Sequence, residues 1–232
     1  MEINEKDLRT LSEFPLFEGI SYSELMALLT NSRVRTYNHR GVFFEAGDEA
    51  LSFGVVLEGA YKLVKPTAKG DDFIMYFATP GDAIGALLMG QPKTVTYPIS
   101  VKAIGCSRIC NIPKSTFQTY WKSNAQILLR LNSVLYSRMG IMQDEKALLR
   151  APLAQRIAWF LMKMLERNVD CEDQIIPLPL TRQEIADHLG VTVESVIRIM
   201  SQWTQSGIVK SADRSLEIAR VDQLIELLKE VE

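Results

Sequence analysis

The spacing of apolar positions changes texture three times along the chain. Residues 4–30 (NEKDLRTLSEFPLFEGISYSELMALLT) predict short amphipathic helical turns, broken at Pro15 and Gly19, with Ser21 or Ser23 placed to cap the second. From Arg33 to Ile112 the pattern becomes short runs of β-formers, GVFFEAGD, FGVVLEG, YKLVK, FIMYFATPGD and TYPISVKAIG, punctuated by Gly41, Gly47, Gly54, Gly59, Gly70, Gly81, Gly85 and Gly90. Short strands with glycine turns at this spacing predict an antiparallel barrel or jelly roll.

After Pro113 the strand signal stops. KSTFQTYWKS predicts a short helix, and Ser123 with Gln126 forms an S-x-x-Q capping box for a long one. In that long helix Ile127, Val134, Ile141 and Leu148 recur every seven residues, as do Leu128, Leu135, Met142 and Leu149, with Leu131 between them. A stripe this wide serves two partners, the chain's own β-roll on one edge and a second helix on the other, and the strict period points to homodimerisation. Ala151-Pro152 must interrupt the helix, because proline lacks an amide donor and fits best in a first turn. PLAQRIAWFLMKMLERN then predicts a fresh amphipathic helix, followed by a loop, NVDCEDQIIP.

Residues 181–203, TRQEIADHLGVTVESVIRIMSQW, carry the most specific pattern. Thr181 and Glu184 form a capping box that starts a helix at Arg182. Ile185, Ala186 and Leu189 make its apolar face, Gly190 permits a sharp turn, Val191 fills the gap, and Thr192 caps a second helix with Val196 and Ile199 inward. Two helices touching at a small residue and joined through a glycine are a helix-turn-helix. The outward face of the second helix holds Val193, Glu194, Ile197 and Arg198, with Ser195 beside them. Glu194 and Arg198 stand four apart, so they either pair with each other on the surface or enter a DNA major groove, where Arg donates bidentately to guanine and Glu accepts from cytosine. Gly207-Ile208-Val209-Lys210 and Ser215-Leu216-Glu217-Ile218 predict a two-stranded wing around an Asp213-Arg214 turn, with Lys210 and Arg214 reaching phosphate. Arg182 joins them as a DNA contact, and His188 is expected to face solvent or a phosphate.

Composition narrows these readings. The 232 residues are 47% hydrophobic and 23% charged, enough for one large core or two modest ones. Their 26 Lys and Arg against 28 Asp and Glu give a formal charge of -2, so bulk charge advertises neither nucleic acid nor an anionic membrane. No secretory leader pattern opens the chain and no 18 apolar residues run in succession, which predicts a soluble, cytoplasmic protein that does not engage membrane. Cys106, Cys110 and Cys171 form no CxxC pair and read as small apolar fillers in a reducing compartment. The two histidines, His39 and His188, lie far apart, so no metal site is expected, and the Asn38-His39-Arg40-Gly41 setting of the first reads as a turn. An enzyme is not expected either: no nucleophile-base pair, metal constellation or phosphate loop is present, and GDAIGALLMG lacks the following Lys-Ser/Thr.

The order of parts predicts an α+β chain: a β-roll sensor domain over 1–122, a dimerisation helix over 123–150 and a winged helix-turn-helix DNA-binding domain over 151–232. In this order, and in TRQEIADHLGVTVESVIRIM, LEGAYKLV and PGDAIG, the chain resembles the Crp/Fnr superfamily of bacterial transcription regulators, over nearly its whole length. The resemblance implies a roll like a cyclic-nucleotide-binding domain, a homodimer, and a contact with RNA polymerase. It implies that Glu194 and Arg198 read a TGA-containing half-site and that Val193 sets the flanking preference. Val193-Glu194-Ser195 looks like the Fnr branch, which points to TTGA-like half-sites, although Ile197 stands where the family has a serine.

The sensor part departs from the cyclic-AMP pattern. That pattern has a Gly-Glu-Leu turn and, about ten residues later, an Arg-Ser pair for the cyclic phosphate; here Gly85-Ala86-Leu87 and Tyr97-Pro98 take those places. Without the cation a desolvated phosphate is left unpaired, so no tight binding of cyclic AMP by that mode, and no cofactor, is expected. The helix positions facing an adenine match Met142 and Gln143, leaving a mostly apolar effector pocket of Gly85, Ala86, Leu87, Tyr97, Pro98, Met142 and Gln143, suited to an apolar effector, a haem, or filling by side chains. No cysteine precedes Cys106, which excludes the N-terminal cluster of the iron-sulfur branch. The competing class is a ligand-binding or protein-interaction module whose winged helix contacts protein. Residues 181–220 carry five basic and five acidic side chains, which leaves both readings open and makes DNA binding lean on a dimer.

Overall fold

A computed structural model describes residues 2–66, 72–167, 174–176, 180–212 and 215–229. The chain divides into two compact units, residues 1–66 with 75–140 and residues 67–74 with 141–232.

The first unit starts with α1 (Glu5–Glu13), a 3-10 turn at Pro15–Phe17 and α2 (Tyr22–Leu28). Asn4 caps α1 in a reciprocal box with Asp7, and Ser21 caps α2 with Glu24, so of the two serines available it is the first that acts. The strands are β1 (Arg33–Tyr37), β2 (Val42–Phe44), β3 (Ser52–Pro66), β4 (Asp72–Ala78), β5 (Ala83–Ile84) and β6 (Ser100–Pro113), with a short α3 (Ala86–Met89) before β6. They form an antiparallel sheet in the order β1-β6-β3-β4, with β2 on β6 and β5 on β3.

Several expected glycine turns are not turns. FGVVLEG and YKLVK fuse into the single long β3, whose register against β6 slips on either side of Glu58. Gly59 sits in that bulge at φ 73°, and a Cβ there would overlap the Ser107 hydroxyl and approach the Cys106 carbonyl oxygen at 2.8 Å. The buried Ser107 Oγ bonds with both the amide and the carbonyl of Ala60, so the bulge has its polar groups satisfied. TYPIS forms no strand beyond the single bridge of Thr96 with Glu49, because Tyr97 turns inward instead.

The core of this unit is aromatic at one end. Trp121, fully buried, donates Nε1–H to the Leu28 carbonyl at 2.8 Å and meets Phe53 and Phe17 edge-on at 4.9 and 5.8 Å. It lies in a π-helical turn, Phe117–Trp121, that follows α4 (Lys114–Thr116). On the opposite side the buried Asp7 carboxylate takes a hydrogen bond from Arg108 Nη2 at 2.6 Å, while Arg108 Nη1 reaches Glu58 at 2.7 Å, pinning α1 to the sheet. Burial alone would lower the Arg108 pKa, but the two carboxylates outweigh it and raise it. Cys110 fills space in the same core, its thiol pushed up to about 12 by burial and the nearby Asp7. Cys106 is exposed, so the filler reading is corrected for it; Cys171 lies outside the described residues.

The long helix is α5 (Ala125–Ala147), continued by a 3-10 turn at Leu148–Arg150. Its cap is Asn124, whose Oδ1 accepts from the Ile127 amide at 3.1 Å, and not Ser123, whose hydroxyl is used up on the carbonyls of Thr119 and Tyr120. Gln126 accordingly takes no part in a capping box and reaches the Glu18 carbonyl. Ile127 and Leu131 are buried in the chain's own core, with Leu128 and Leu135 partly buried against it. Arg138 fixes the rotation: it pairs with Asp82 at 3.1 Å, lies 4.3 Å over the Tyr76 ring, and Tyr76 donates to the same carboxylate. Burial opposes its charge, yet Asp82 and Tyr76 together raise its pKa. Val134, Ile141 and Leu148 are half-buried, Met142 and Leu149 exposed, and Leu129, Tyr136 and Met139, which lie outside the seven-residue count, are exposed as well.

The second unit adds α6 (Leu153–Glu166), β7 (Ile175–Ile176), α7 (Arg182–Leu189), α8 (Val193–Gln205), β8 (Val209–Ala212), β9 (Ser215–Ile218) and α9 (Val221–Lys229). Pro152 stands at the N-cap of α6, as expected of its missing amide. The wing carries a third strand, β7, paired to β9 in the order β7-β9-β8; it falls in the stretch read as a loop. β8 starts two residues later than expected because Gly207, at φ 73°, still belongs to the turn that ends α8.

Replacing the buried Asp7 by Ala leaves the half-buried Arg108 without its closest counter-ion and α1 without its capping box, and is expected to destabilise the fold by about 3 kcal/mol. Urea unfolding followed by Trp fluorescence measures it; a loss near zero would show that Arg108 is satisfied by Glu58 alone.

Candidate functional site

The helix-turn-helix is built by local rules that the structure satisfies in turn. Thr181 Oγ1 accepts from the Glu184 amide at 3.1 Å while the Glu184 carboxylate accepts from the Thr181 amide at 3.1 Å, closing the capping box at the start of α7. Gly190 ends α7 in the left-handed region, φ 65° and ψ 40°, and its amide returns to the Ala186 carbonyl. Ile185 and Ala186 are fully buried where α7 crosses α8, and Val196 is buried opposite. Leu189, Val191 and Ile199 are only half-buried; the deeper contacts from α8 come from Met200 and Trp203, apolar positions one step further along the same face.

Thr192 is the N-cap of α8, but its hydroxyl lies 3.0 Å from Ser195 Oγ and caps no backbone amide. Beyond it α8 turns its other face outward. Glu194, Ile197 and Arg198 are exposed, Val193 and Ser195 half-buried, and no ion pair joins Glu194 to Arg198 among the described residues. The surface-pair alternative is therefore not formed: a carboxylate and a guanidinium stand one turn apart, open to a ligand. Ile197 lies between them with 46% of its surface exposed, an apolar contact at the centre of a polar face.

The flanking cations differ from one another. Arg182, at the first turn of α7, is half-buried and its pKa is lowered by desolvation. Lys210 on β8 is exposed and bridges to Glu217 across the wing at 2.8 Å, a surface pair worth about 0–1 kcal/mol that a phosphate can replace. Arg214 lies outside the described residues.

His188 does not face solvent or phosphate. It is buried, with Nδ1 3.0 Å from the Ile74 carbonyl oxygen and Nε2 2.9 Å from Glu145 Oε1, because these acceptors come from chain segments that the local pattern of α7 cannot reveal. Arg156 of α6, a residue without a signal in the motif, donates to the Leu189 carbonyl at the end of α7.

The residues expected to line an effector pocket differ in burial. Tyr97 is buried, its ring stacked on Phe44 at 3.7 Å and its hydroxyl donating to the Ser52 carbonyl at 2.6 Å. Gly85 lies against both rings, close enough that a Cβ would stand 3.6 Å from each, and Ala86 is buried beside it. Leu87 and Pro98 are exposed, and so are Met142 and Gln143, which belong to the second unit. His39 is an exposed turn residue whose Nδ1 accepts from the Gly105 amide.

Comparison with known proteins matches this arrangement at both ends. Residues 34–124 match the cyclic nucleotide-binding domain and residues 155–227 the Crp-like helix-turn-helix domain. The nitrogen fixation regulation protein FixK of Bradyrhizobium diazoefficiens is 31% identical over 221 residues, covering 89% of this chain and 91% of the relative. The fumarate and nitrate reduction regulatory protein of Escherichia coli is 26% identical over 187 residues, 79% of this chain and 74% of that protein. Among solved structures, FixK2 from Bradyrhizobium japonicum superposes with a TM-score of 0.72 at 24% identity, over 84% of this chain and 96% of that one. The likeness to that structure is one of fold: β-roll, long helix and C-terminal helix-turn-helix, the α+β order read from the sequence.

At the crossing of α7 and α8 the buried Ala186 leaves no room for a larger side chain. Ala186→Leu is expected to cost about 1–3 kcal/mol by overpacking, read as a lowered thermal transition of the second unit.

Proposed function

Because the chain belongs to the Crp/Fnr family of transcription regulators, we propose that it is a homodimer that binds a palindrome of TGA-containing, TTGA-like half-sites. The observation that carries the reading is the outward face of α8, where Glu194 and Arg198 are exposed and unjoined while Val196, Met200 and Trp203 hold the rear of the helix in the core. In the major groove Arg198 donates to guanine O6 and N7, and Glu194 accepts from cytosine N4. Ser195, Val193 and Ile197 tune the neighbouring bases; Thr192, Arg182, Lys210 and Arg214 position the domain on phosphates and carry no sequence information. With basic and acidic side chains balanced across the domain, one copy binds weakly, and two copies engaging half-sites about 34 Å apart supply the affinity.

The dimer seam in this reading is the outward stripe of α5, Leu129, Tyr136 and Met139, continued by the exposed Met142 and Leu149. Leu129 and Tyr136 stand seven residues apart with Met139 between successive turns, the spacing by which two helices interlock. Apolar side chains this open on a charged helix favour burial against a second copy.

The regulator works without cyclic AMP bound in the usual mode, and without a cofactor. Tyr97 and Ala86 stand where an anion's partners would be, and the stacked ring and its two bonds to Ser52 support a roll filled by its own side chains. The same reading places the protein in the bacterial cytoplasm with RNA polymerase as its further partner; among the described residues no helix is long and apolar enough to cross a membrane.

The deciding experiment is fluorescence anisotropy of the full-length protein on a TTGA palindrome and on its scramble at one salt concentration. Selective binding is expected without added ligand and unchanged by cyclic AMP; equal affinity for both duplexes would favour a protein-contacting role for the winged helix. Arg198→Ala should lose about 1–3 kcal/mol on the palindrome and little on the scramble. Tyr136→Asp places a charge in the seam and is expected to yield monomer by sedimentation at micromolar concentration, with DNA affinity lowered in parallel; an intact dimer would move the seam elsewhere.

A further inference from the structure

The C-terminal end of α7 holds a polar cluster that base reading does not use. His188 is buried, its ring 4.8 Å from that of Phe160 on α6. Nδ1 lies 3.0 Å from the Ile74 carbonyl oxygen on β4, and Nε2 lies 2.9 Å from Glu145 Oε1 near the end of α5. The next residue, Leu189, has its carbonyl held by Arg156 of α6, and Gly190 then launches the turn into α8. These three residues join the end of α7 to the start of α8.

The proton count of the cluster is constrained by its acceptors. A carbonyl oxygen only accepts, and an ionised carboxylate only accepts. Both ring nitrogens of His188 must therefore carry hydrogen for the two contacts to coexist, so ring and carboxylate together hold one proton more than a neutral imidazole beside a carboxylate. When that proton leaves, the Nε2 lone pair faces Glu145 Oε1 at 2.9 Å and the contact becomes repulsive. Of the other charged groups on these elements, Glu184 is bonded to Thr181, Asp187 to Gln183, and Arg156 to Leu189. Asp72 on β4, Asp144 and Lys146 on α5 and Arg182 on α7 are the further charged residues nearby in sequence. Glu145 is the carboxylate at hydrogen-bond distance from the ring.

We propose that His188 is a positioning residue for DNA binding, a protonated clamp that ties the end of α7, and with it α8, to Glu145 of α5 and to the Ile74 carbonyl. The proposal rests on the reading of α8 as the base-contacting helix. The closed clamp holds one proton more than the open one, so by mass action its formation is favoured as pH falls. The cluster lies inside one unit and joins α5 directly to the helix-turn-helix, alongside the covalent path through Pro152.

The test uses the full-length protein, the labelled TTGA palindrome and its scramble, at about pH 6 and about pH 8 with ionic strength fixed, for the wild type, Glu145→Gln and His188→Gln. Wild-type affinity for the palindrome is expected to fall about fivefold or more over this range. Glu145→Gln, whose amide donates to a neutral Nε2, should bind at both pH values within about twofold of the wild type at low pH. His188→Gln should also lose the pH dependence. Nitrogen-15 NMR of the two histidine rings reads the clamp without DNA: His188 should carry both ring protons at about pH 6 in the wild type and become the Nδ1–H tautomer in Glu145→Gln. A neutral His188 ring at about pH 6 in the wild type overturns the clamp whatever the DNA result. The same pH profile in wild type and Glu145→Gln overturns the positioning role. A doubly protonated ring with no selective binding at either pH overturns the DNA reading on which the proposal rests.

Discussion

A side chain can be buried only once, and for α5 that constraint decides the rest. The helix presents more apolar surface than one partner covers. Ile127 and Leu131 go into the chain's own core, and Arg138, held by Asp82 and stacked on Tyr76, fixes the rotation a further two turns along. With those positions assigned, Leu129, Tyr136 and Met139 have nowhere to go but outward. An ion pair buried beside an aromatic ring is an unusual choice for an anchor, because it is costly to break and gives little when formed. What it supplies is direction: a stripe of leucines tolerates a slip of one residue, whereas a guanidinium over Tyr76 and against Asp82 does not.

The heptad count in the sequence found the stripe of α5 that runs through Ile127, Leu128 and Leu131 but not the outward one of Leu129, Tyr136 and Met139, because which apolar positions of a helix are covered depends on the elements packed against it. The helix-turn-helix was legible for the opposite reason. Thr181, Glu184, Ala186 and Gly190 each answer a demand made by residues within one or two turns, and the structure meets every one of them. Ile199, expected inward, yields to Met200 and Trp203 only by a shift along the same face. His188 was misread because its partners, Ile74 and Glu145, are distant in sequence. A histidine among polar neighbours looks like a surface residue until the elements that cover it are known.

The roll shows how glycine misleads when counted as punctuation. Gly59 relieves a bulge and Gly54 lies where Ile109 leaves no space for a side chain, both inside one strand. Gly85 does mark a turn, but its second role is to lie flat against Phe44 and Tyr97. Tyr97 points its ring into the core, and its hydroxyl finds both its partners on the backbone of Ser52.

The pairing of β3 with β6 joins Ser52 to Pro113 and Val64 to Ser100, so the central ladder of the roll closes only after the whole intervening chain is available. The α7–α8 hairpin needs nothing beyond its own neighbours to take shape. During synthesis the first unit must therefore wait, with the edge of β3 unpaired, until Pro113 has emerged, whereas the α7–α8 segment, made after it, can fold quickly from local contacts. The slow and aggregation-exposed step belongs to the roll, and the part of the molecule that carries Arg198 is made later yet takes shape sooner.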